Sequence, residues 1–444
     1  MKATQLWSLW QAILLSLAFG FTRRGEQRFV QWVTGLALCV EEHTVTQSLV
    51  GLDRPQDWKA LESFAEYGSW DLRLLQYWIA RRLDELPGRL WHGYRVWAGD
   101  DTKVHRNSKG VWGTCTFHEY SARCPNRAST VRAHNWVVTG ALVPRPGQPA
   151  LFLPVAGRLY FRKTQLPDAR EGPPVPFQTK CELLVGMLRE HAKACGGGKD
   201  LAVFDGGYAL GSVVRPLAAP AEPGQPRVDF VTRLRHDARL HALPPAHRRD
   251  GQLGRTPLWG KRLAPPRQGG RWPGGWQAGA AFIYGRERAV RYKEVVCLWR
   301  VLGRDVAVKA VVAEVEGYSR RFTLVTTALG LSGLQVVELF CARFRQEDGF
   351  RDLKQRLGWE EGRAWTRKPV ERTTQALLTA LTALRLLQLE LEDHQGDGWW
   401  LHPPWSPHKD RPSVLDVERL LRQHRDGIQR CLAGWLDGEE KAEQ

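Results

Sequence analysis

The stretch Leu334 to Leu357, LQVVELFCARFRQEDGFRDLKQRL, carries apolar residues at three- and four-residue steps and predicts one long helix. At about 100° per residue, Phe340, Arg343, Glu347 and Lys354 fall within roughly a 60° arc. One acid, two bases and an aromatic ring therefore share a stripe, and Leu339, Leu353 and Leu357 beside it can anchor it in a core. Asp348 and Asp352 lie off the stripe, about 100° and 140° from Glu347, where salt bridges or solvent would engage them. An ordinary ion-paired helix face has the same composition, so the stripe alone does not define an active site.

Two more acids stand where apolar strands end. Leu90 to Gly99 reads as a strand running into Asp100-Asp101-Thr102, and Leu201-Ala202-Val203-Phe204 stops at Asp205-Gly206-Gly207. Strand ends facing a helix can converge on one point although the chain between them is long. Asp101, Asp205 and Glu347 brought together would need a counter-charge, and hard oxygen ligands suit Mg²⁺. Two such ions about 4 Å apart would activate a water or a 3′-OH and stabilise the leaving oxygen in a phosphodiester displacement. The charge balance agrees: 64 Lys and Arg against 47 acids give a net +17, which favours a polyanionic partner. Lys103, Arg106 and Lys109 follow the first acid closely, as a phosphate clamp or as a solvated turn.

The rest of the chain divides by texture. Residues 1 to 90 read as helices, at Leu6 to Phe21, Gln27 to Val33, Thr44 to Leu52, Asp57 to Tyr67 and Trp70 to Ile79, and form a helical domain suited to DNA ends or to plain support. Residues 91 to 234 alternate strands with a helix at Lys180 to Ala194, which ends at Gly196-Gly197-Gly198. Strands, a helix and strands again describe an α/β sheet of mixed direction. Arg233 to Arg271 is a basic arm with ten Lys or Arg, two Asp and five Pro, interleaved with Trp259, with Trp272 and Trp276 close behind. Indoles among basic residues favour nucleic-acid contact over a solvated loop. Ala280 to Thr327 returns to strand-like alternation, in which Trp299 reads as a core indole. Residues 235 to 325 thus form a basic β-rich insertion, 326 to 390 carry the Glu347 helix, and 391 to 444 form a final segment with a helix at Asp416 to Trp435.

Several classes are excluded. The uncharged run at Leu6 to Phe21 is shorter than the ~20 residues of a spanning helix and lacks a small-residue cleavage site, so a buried helix is expected and no membrane. Eight scattered cysteines without a CxxC pair fit reduced thiols in the cytoplasm. Cys115, His118, Cys124 and His134 lie near one another, but their spacing fits no common zinc site.

Phe340-x2-Arg343-x3-Glu347-x6-Lys354 resembles the Y-x2-R-x3-E-x6-K signature of bacterial insertion-sequence DDE transposases. Gly99-Asp100-Asp101-Thr102 is similar to that family's first-aspartate strand, and Phe204-Asp205-Gly206-Gly207-Tyr208 to its second. The resemblance covers residues 90 to 390. It implies an RNase H-like catalytic core interrupted by a mainly β insertion, matching residues 235 to 325. It implies that Asp101, Asp205 and Glu347 hold two Mg²⁺ ions, with Mn²⁺ as a substitute, and that Arg343 and Lys354 contact DNA phosphates. Phe340 stands at the family tyrosine, keeping the ring without the hydroxyl. Side chains alternate along a strand, so only one of Asp100 and Asp101 can face the metal. The family's aspartate directly precedes Thr or Ser, which selects Asp101 and leaves Asp100 as the alternative. The implied activity is cutting double-stranded DNA at an element's inverted-repeat ends and joining the 3′-OH ends to target DNA. A synaptic homodimer and a place at the bacterial nucleoid are implied with it. The rival readings are another RNase H-like nuclease and a non-catalytic, domesticated DNA-binding protein.

Overall fold

Side-chain caps set the first helices where the polar residues fall between apolar runs. Thr22 and Thr44 accept from the backbone N–H groups of Gly25 and Gln47, and Asp71 accepts from those of Arg73 and Leu74. In the computed structural model, which describes residues 1–119, 129–166, 174–219, 224–245, 257–395 and 398–440, these caps begin α2 (Arg23–Leu38), α3 (Val45–Gly51) and α5 (Leu72–Asp84). They follow α1 (Ala3–Leu17), and α4 (Trp58–Tyr67) lies between α3 and α5. The first apolar run is helical and buried as expected, though α1 stops four residues before Phe21. Cys124, Arg248, Arg249 and Arg255 lie outside the described residues.

The strands are β1 (Leu90–Trp91), β2 (Tyr94–His105), β3 (Cys115–His118), β4 (Thr130–Arg145) and β5 (Gln148–Tyr160). After α6 (Lys180–Ala194) come β6 (Asp200–Phe204), α7 (Gly211–Ala218), β7 (Asp229–Arg233) and β8 (Leu240–His241). Next are β9 (Gln277–Ile283), β10 (Arg286–Trp299), β11 (Ala307–Val315) and β12 (Phe322–Thr326). The chain closes with α8 (Gly333–Ala342), α9 (Phe344–Gln355), α10 (Arg367–Gln395), α11 (Val414–Gln423) and α12 (Arg425–Glu440). Helix α6 occupies the predicted residues, fixed by a capping box between Thr179 and Glu182 at its start.

All strands join one sheet in the order β3-β4-β2-β6-β7-β12-β11-β10-β8, with β5 also on β4, β1 on β2 and β9 on β10. Pairs β2–β6 and β6–β7 are parallel and the rest antiparallel. The run β5-β4-β2-β6-β7 is a mixed α/β arrangement compatible with an RNase H-like core. Strands β9 to β12 do not stand apart from it, because β12 pairs with β7 and carries the same sheet onward. Trp272 and Trp299 are buried there.

The two faces are covered differently. Arg158 on β5 pairs with Glu190 of α6, and a Cβ on Gly99 would strike Leu184 of α6. The neighbouring residue Gly157 meets Leu378 of α10 instead. Thus α6 lies on one face and α10 on the other. α9 joins α10 through a buried pair of Asp352 with Arg385, at 3.0 Å. Helices α1 and α2 pack on α10, and α12 packs on α1, so the first and last helices form one layer.

Candidate active site

Two expectations about local structure are corrected. β2 does not end at Gly99; it runs through Asp100 and Asp101 to His105, because β4 pairs with it along that whole stretch. Leu334 to Leu357 is not one helix either. It breaks at Arg343, whose amide bonds back to the carbonyl of Phe340, a tighter three-residue step, before α9 begins.

Cross-strand register decides which acid faces which way. Asp100 pairs with Val138, which pairs with Gly157, the residue that meets α10. Asp101 pairs with Val137 and, through it, with Arg158, the residue held by α6. Gly99 is opposite Phe204 in the parallel pair, so the next step sets Asp100 beside Asp205 on one face. The side chains agree. Arg343 donates to Asp100 Oδ2 at 2.9 Å and to Glu347 Oε1 at 3.0 Å, joining β2 to α9 through one guanidinium. Asp101 is turned the other way, where the Lys180 ammonium donates to its Oδ2 at 2.5 Å and the Tyr208 hydroxyl to its Oδ1 at 2.8 Å. Asp101, the acid chosen from sequence, therefore does not share a face with Glu347, and Asp100 does.

Burial pushes the Asp100 carboxyl up to about 6, the Arg343 charge opposes this, and the charges of Asp101 and Asp205 add to the rise. Burial and then the Asp101 charge raise the Tyr208 phenol, which keeps it a donor to that carboxylate. Asp205 stands just past the end of β6, with its backbone carbonyl held by Thr232 Oγ1 at 3.2 Å. Glu347 is nearly half exposed, while Arg343 is mostly covered.

The other stripe residues spread out. Lys354 reaches the Lys103 carbonyl on β2 at 2.5 Å and stands 3.6 Å from Glu360, and burial lowers its pKa. Phe340 is buried, edge-on to Phe322 with ring centroids 6.5 Å apart, so its ring packs the core and is not presented to DNA. Arg106 is likewise occupied, by the carbonyls of Trp359 and Glu360. Cys115 and His134 each face a backbone carbonyl. Among the described residues, no three His, Cys, Asp or Glu side chains already stand close enough together to hold a metal ion. The donor set of Asp100, Asp205 and Glu347 is nonetheless all carboxylate oxygen, and a cationic guanidinium already bridges two of its members. That chemistry fits a hard divalent cation.

Lys180 and Tyr208 were not singled out by sequence reasoning. Tyr208 lies within the Phe204-Asp205-Gly206-Gly207-Tyr208 motif, but Lys180 is an ordinary first-turn lysine until the fold sets it against β2.

A family model described as DDE superfamily endonuclease matches residues 16–296, well over half of the chain. The chain belongs to that family. No curated protein matches it. The matched stretch contains Asp100, Asp101 and Asp205 and ends before the helix that carries Glu347. Membership makes this DDE endonuclease a nuclease-type enzyme, of a superfamily that uses divalent metals, typically Mg²⁺. No helix among the described residues is long and apolar enough to cross a membrane.

Proposed function

We propose that this DDE endonuclease is the transposase of a bacterial insertion sequence. It binds the element's inverted-repeat ends, cleaves them, and transfers the 3′-OH ends to target DNA. The observation that carries the reading is the shared guanidinium of Arg343. It draws together Asp100 and Glu347, from distant parts of the chain, on the sheet face to which register also assigns Asp205.

In this reading Asp100, Asp205 and Glu347 hold two Mg²⁺ ions, or Mn²⁺ in their stead. The ions would supply the counter-charge for developing oxyanions and lower the pKa of the attacking water or hydroxyl. Asp101 orients rather than ligates: it links the start of α6 to the turn after β6, and so fixes the height of Asp205 against Asp100. Arg343 neutralises the two carboxylates while no substrate is bound and offers its remaining donors to a scissile phosphate. Lys354, engaged by the Lys103 carbonyl and the Glu360 carboxylate, keeps a third N–H donor for a neighbouring phosphate. The helices of residues 1 to 90 read the ends, the strands of 235 to 325 widen the DNA-facing surface, and the segment from 391 supports pairing in a synaptic homodimer.

The test is cleavage of a plasmid carrying the DNA that flanks the gene, comparing wild type with Glu347→Gln, in Mg²⁺ and in EDTA. Mg²⁺-dependent cuts at the ends, lost in the variant, are expected. Cutting at unrelated positions would favour a general nuclease, and end binding without cutting would favour a non-catalytic DNA-binding protein.

A further inference from the structure

A cleft of about 610 Å³ opens where the carboxyl ends of the parallel strands β6 and β7 meet the start of β12. Crevices at the carboxyl ends of such strands are the usual ligand positions in open α/β sheets. Arg233 and Arg235 line it from the end of β7, Arg267 from the turn at 266–271, and Arg320 and Arg321 from the chain entering β12. Its single carboxylate is Asp205.

Five guanidiniums around one acid are a costly arrangement unless a polyanion completes it. Some are already satisfied. Arg235 pairs with Asp237, and Arg321 is held by Glu314 at 2.6 Å and over the Trp276 ring at 5.7 Å. Arg233, Arg267 and Arg320 are exposed and have no acid partner among the described residues. Among the described residues the lining contains no Asn or Gln, and its one ring is the exposed imidazole of His236, so guanidiniums dominate it, and guanidiniums on phosphates carry position without sequence.

We infer that this cleft binds a DNA strand by its phosphodiester backbone, without regard to sequence, and leads that strand to Asp205. The inference rests on the DNA-cutting reading above and adds a second, sequence-neutral contact to it. The same phosphates belong to an element end and to a target duplex, so the two sources must be separated by experiment.

The experiment uses the full chain and its Arg233→Ala/Arg267→Ala/Arg320→Ala variant. Fluorescence anisotropy in EDTA follows a random-sequence duplex and a duplex bearing the gene's flanking end, between 50 and 200 mM salt. Each phosphate contact contributes about 0.9 to the slope of log affinity against log salt, so the variant should lose about 2.7 and bind at least about tenfold more weakly. A loss on the random duplex alone assigns the cleft to target DNA, and an equal loss on both assigns it to the backbone of either. Lysine at the same three positions should restore most of the slope, which separates lost charge from lost folding. Unchanged binding to both duplexes would overturn the inference, as would a loss confined to the end duplex. Should wild type neither prefer nor cut the end while the random-duplex loss persists, the transposase reading falls and the cleft stands.

Discussion

Asp100 and Asp101 are adjacent, chemically identical, and opposite in what surrounds them. Asp100 answers to Arg343; Asp101 answers to an ammonium and a phenol on the far face. If Asp100 is the ligand, Asp100→Asn should weaken Mn²⁺ binding by more than about a hundredfold, beyond the usual cost of losing an outer-sphere partner. Asp101→Asn should cost only about tenfold, through the displaced turn that carries Asp205. Titration of Mn²⁺ followed by electron paramagnetic resonance measures both without turnover, and the reverse ranking would restore Asp101 as the ligand. Sequence named the pair and, by resemblance, chose Asp101; nothing local in it gives the face that each side chain takes. The choice depends on Gly99 lying opposite Phe204, a pairing made by chain far downstream and absent from any local pattern.

At the scale of elements, α9 matters because it carries Glu347, and three contacts fix it, two to the sheet and one to α10. Gln346 donates to the Val138 carbonyl at 2.9 Å, Asp352 pairs with the buried Arg385, and Gly349 lies directly on Phe152 of β5. A Cβ on Gly349 would come within 2.8 Å of the Phe152 ring, so α9 must tilt or slide to admit it. Gly349→Ala should therefore destabilise the fold by about 1–3 kcal/mol, as overpacking does. It should also lower cleavage by on the order of a hundredfold, because Glu347 sits only two residues away and a 1 Å misplacement is enough. Urea unfolding and single-turnover cleavage check the two parts; a stable variant of normal activity would show that α9 is not held this way. The elements themselves were largely legible. Apolar spacing gave the early helices, a glycine run marked the end of α6, a short apolar run gave β6, and alternation gave the later strands. The break at Arg343 was not, since apolar periodicity continues across it. Nor was the joining of β12 to β7, because alternation reports that a strand has two faces and not which neighbour it pairs with.

Across the whole molecule, the last helices close against the first. Arg422 donates to the Cys39 carbonyl at 2.8 Å, Arg425 and Gln429 both donate to the Gly51 carbonyl, and Arg54 pairs with Asp437. Within this closure Glu418 of α11 is almost fully buried, its Oε2 3.9 Å from Arg422 and its Oε1 without a hydrogen-bond partner. Burial pushes its carboxyl up to about 7, against the opposing charges of Arg422 and Arg356. A carboxyl raised on folding binds its proton more tightly in the native state than in the unfolded chain. Its contribution is therefore fully present below the ordinary Glu range and is lost as pH rises through about 7. The wild-type chain should lose about 2–3 kcal/mol from this group between pH 5 and pH 8. Glu418→Gln keeps the shape and removes the titration. Its stability should fall less over the same interval, leaving it the more stable protein at pH 8. Chemical denaturation at a series of pH values measures the difference. Parallel curves for the two proteins would mean that Glu418 stays ionised in the folded state, and that its arginine neighbours outweigh its burial.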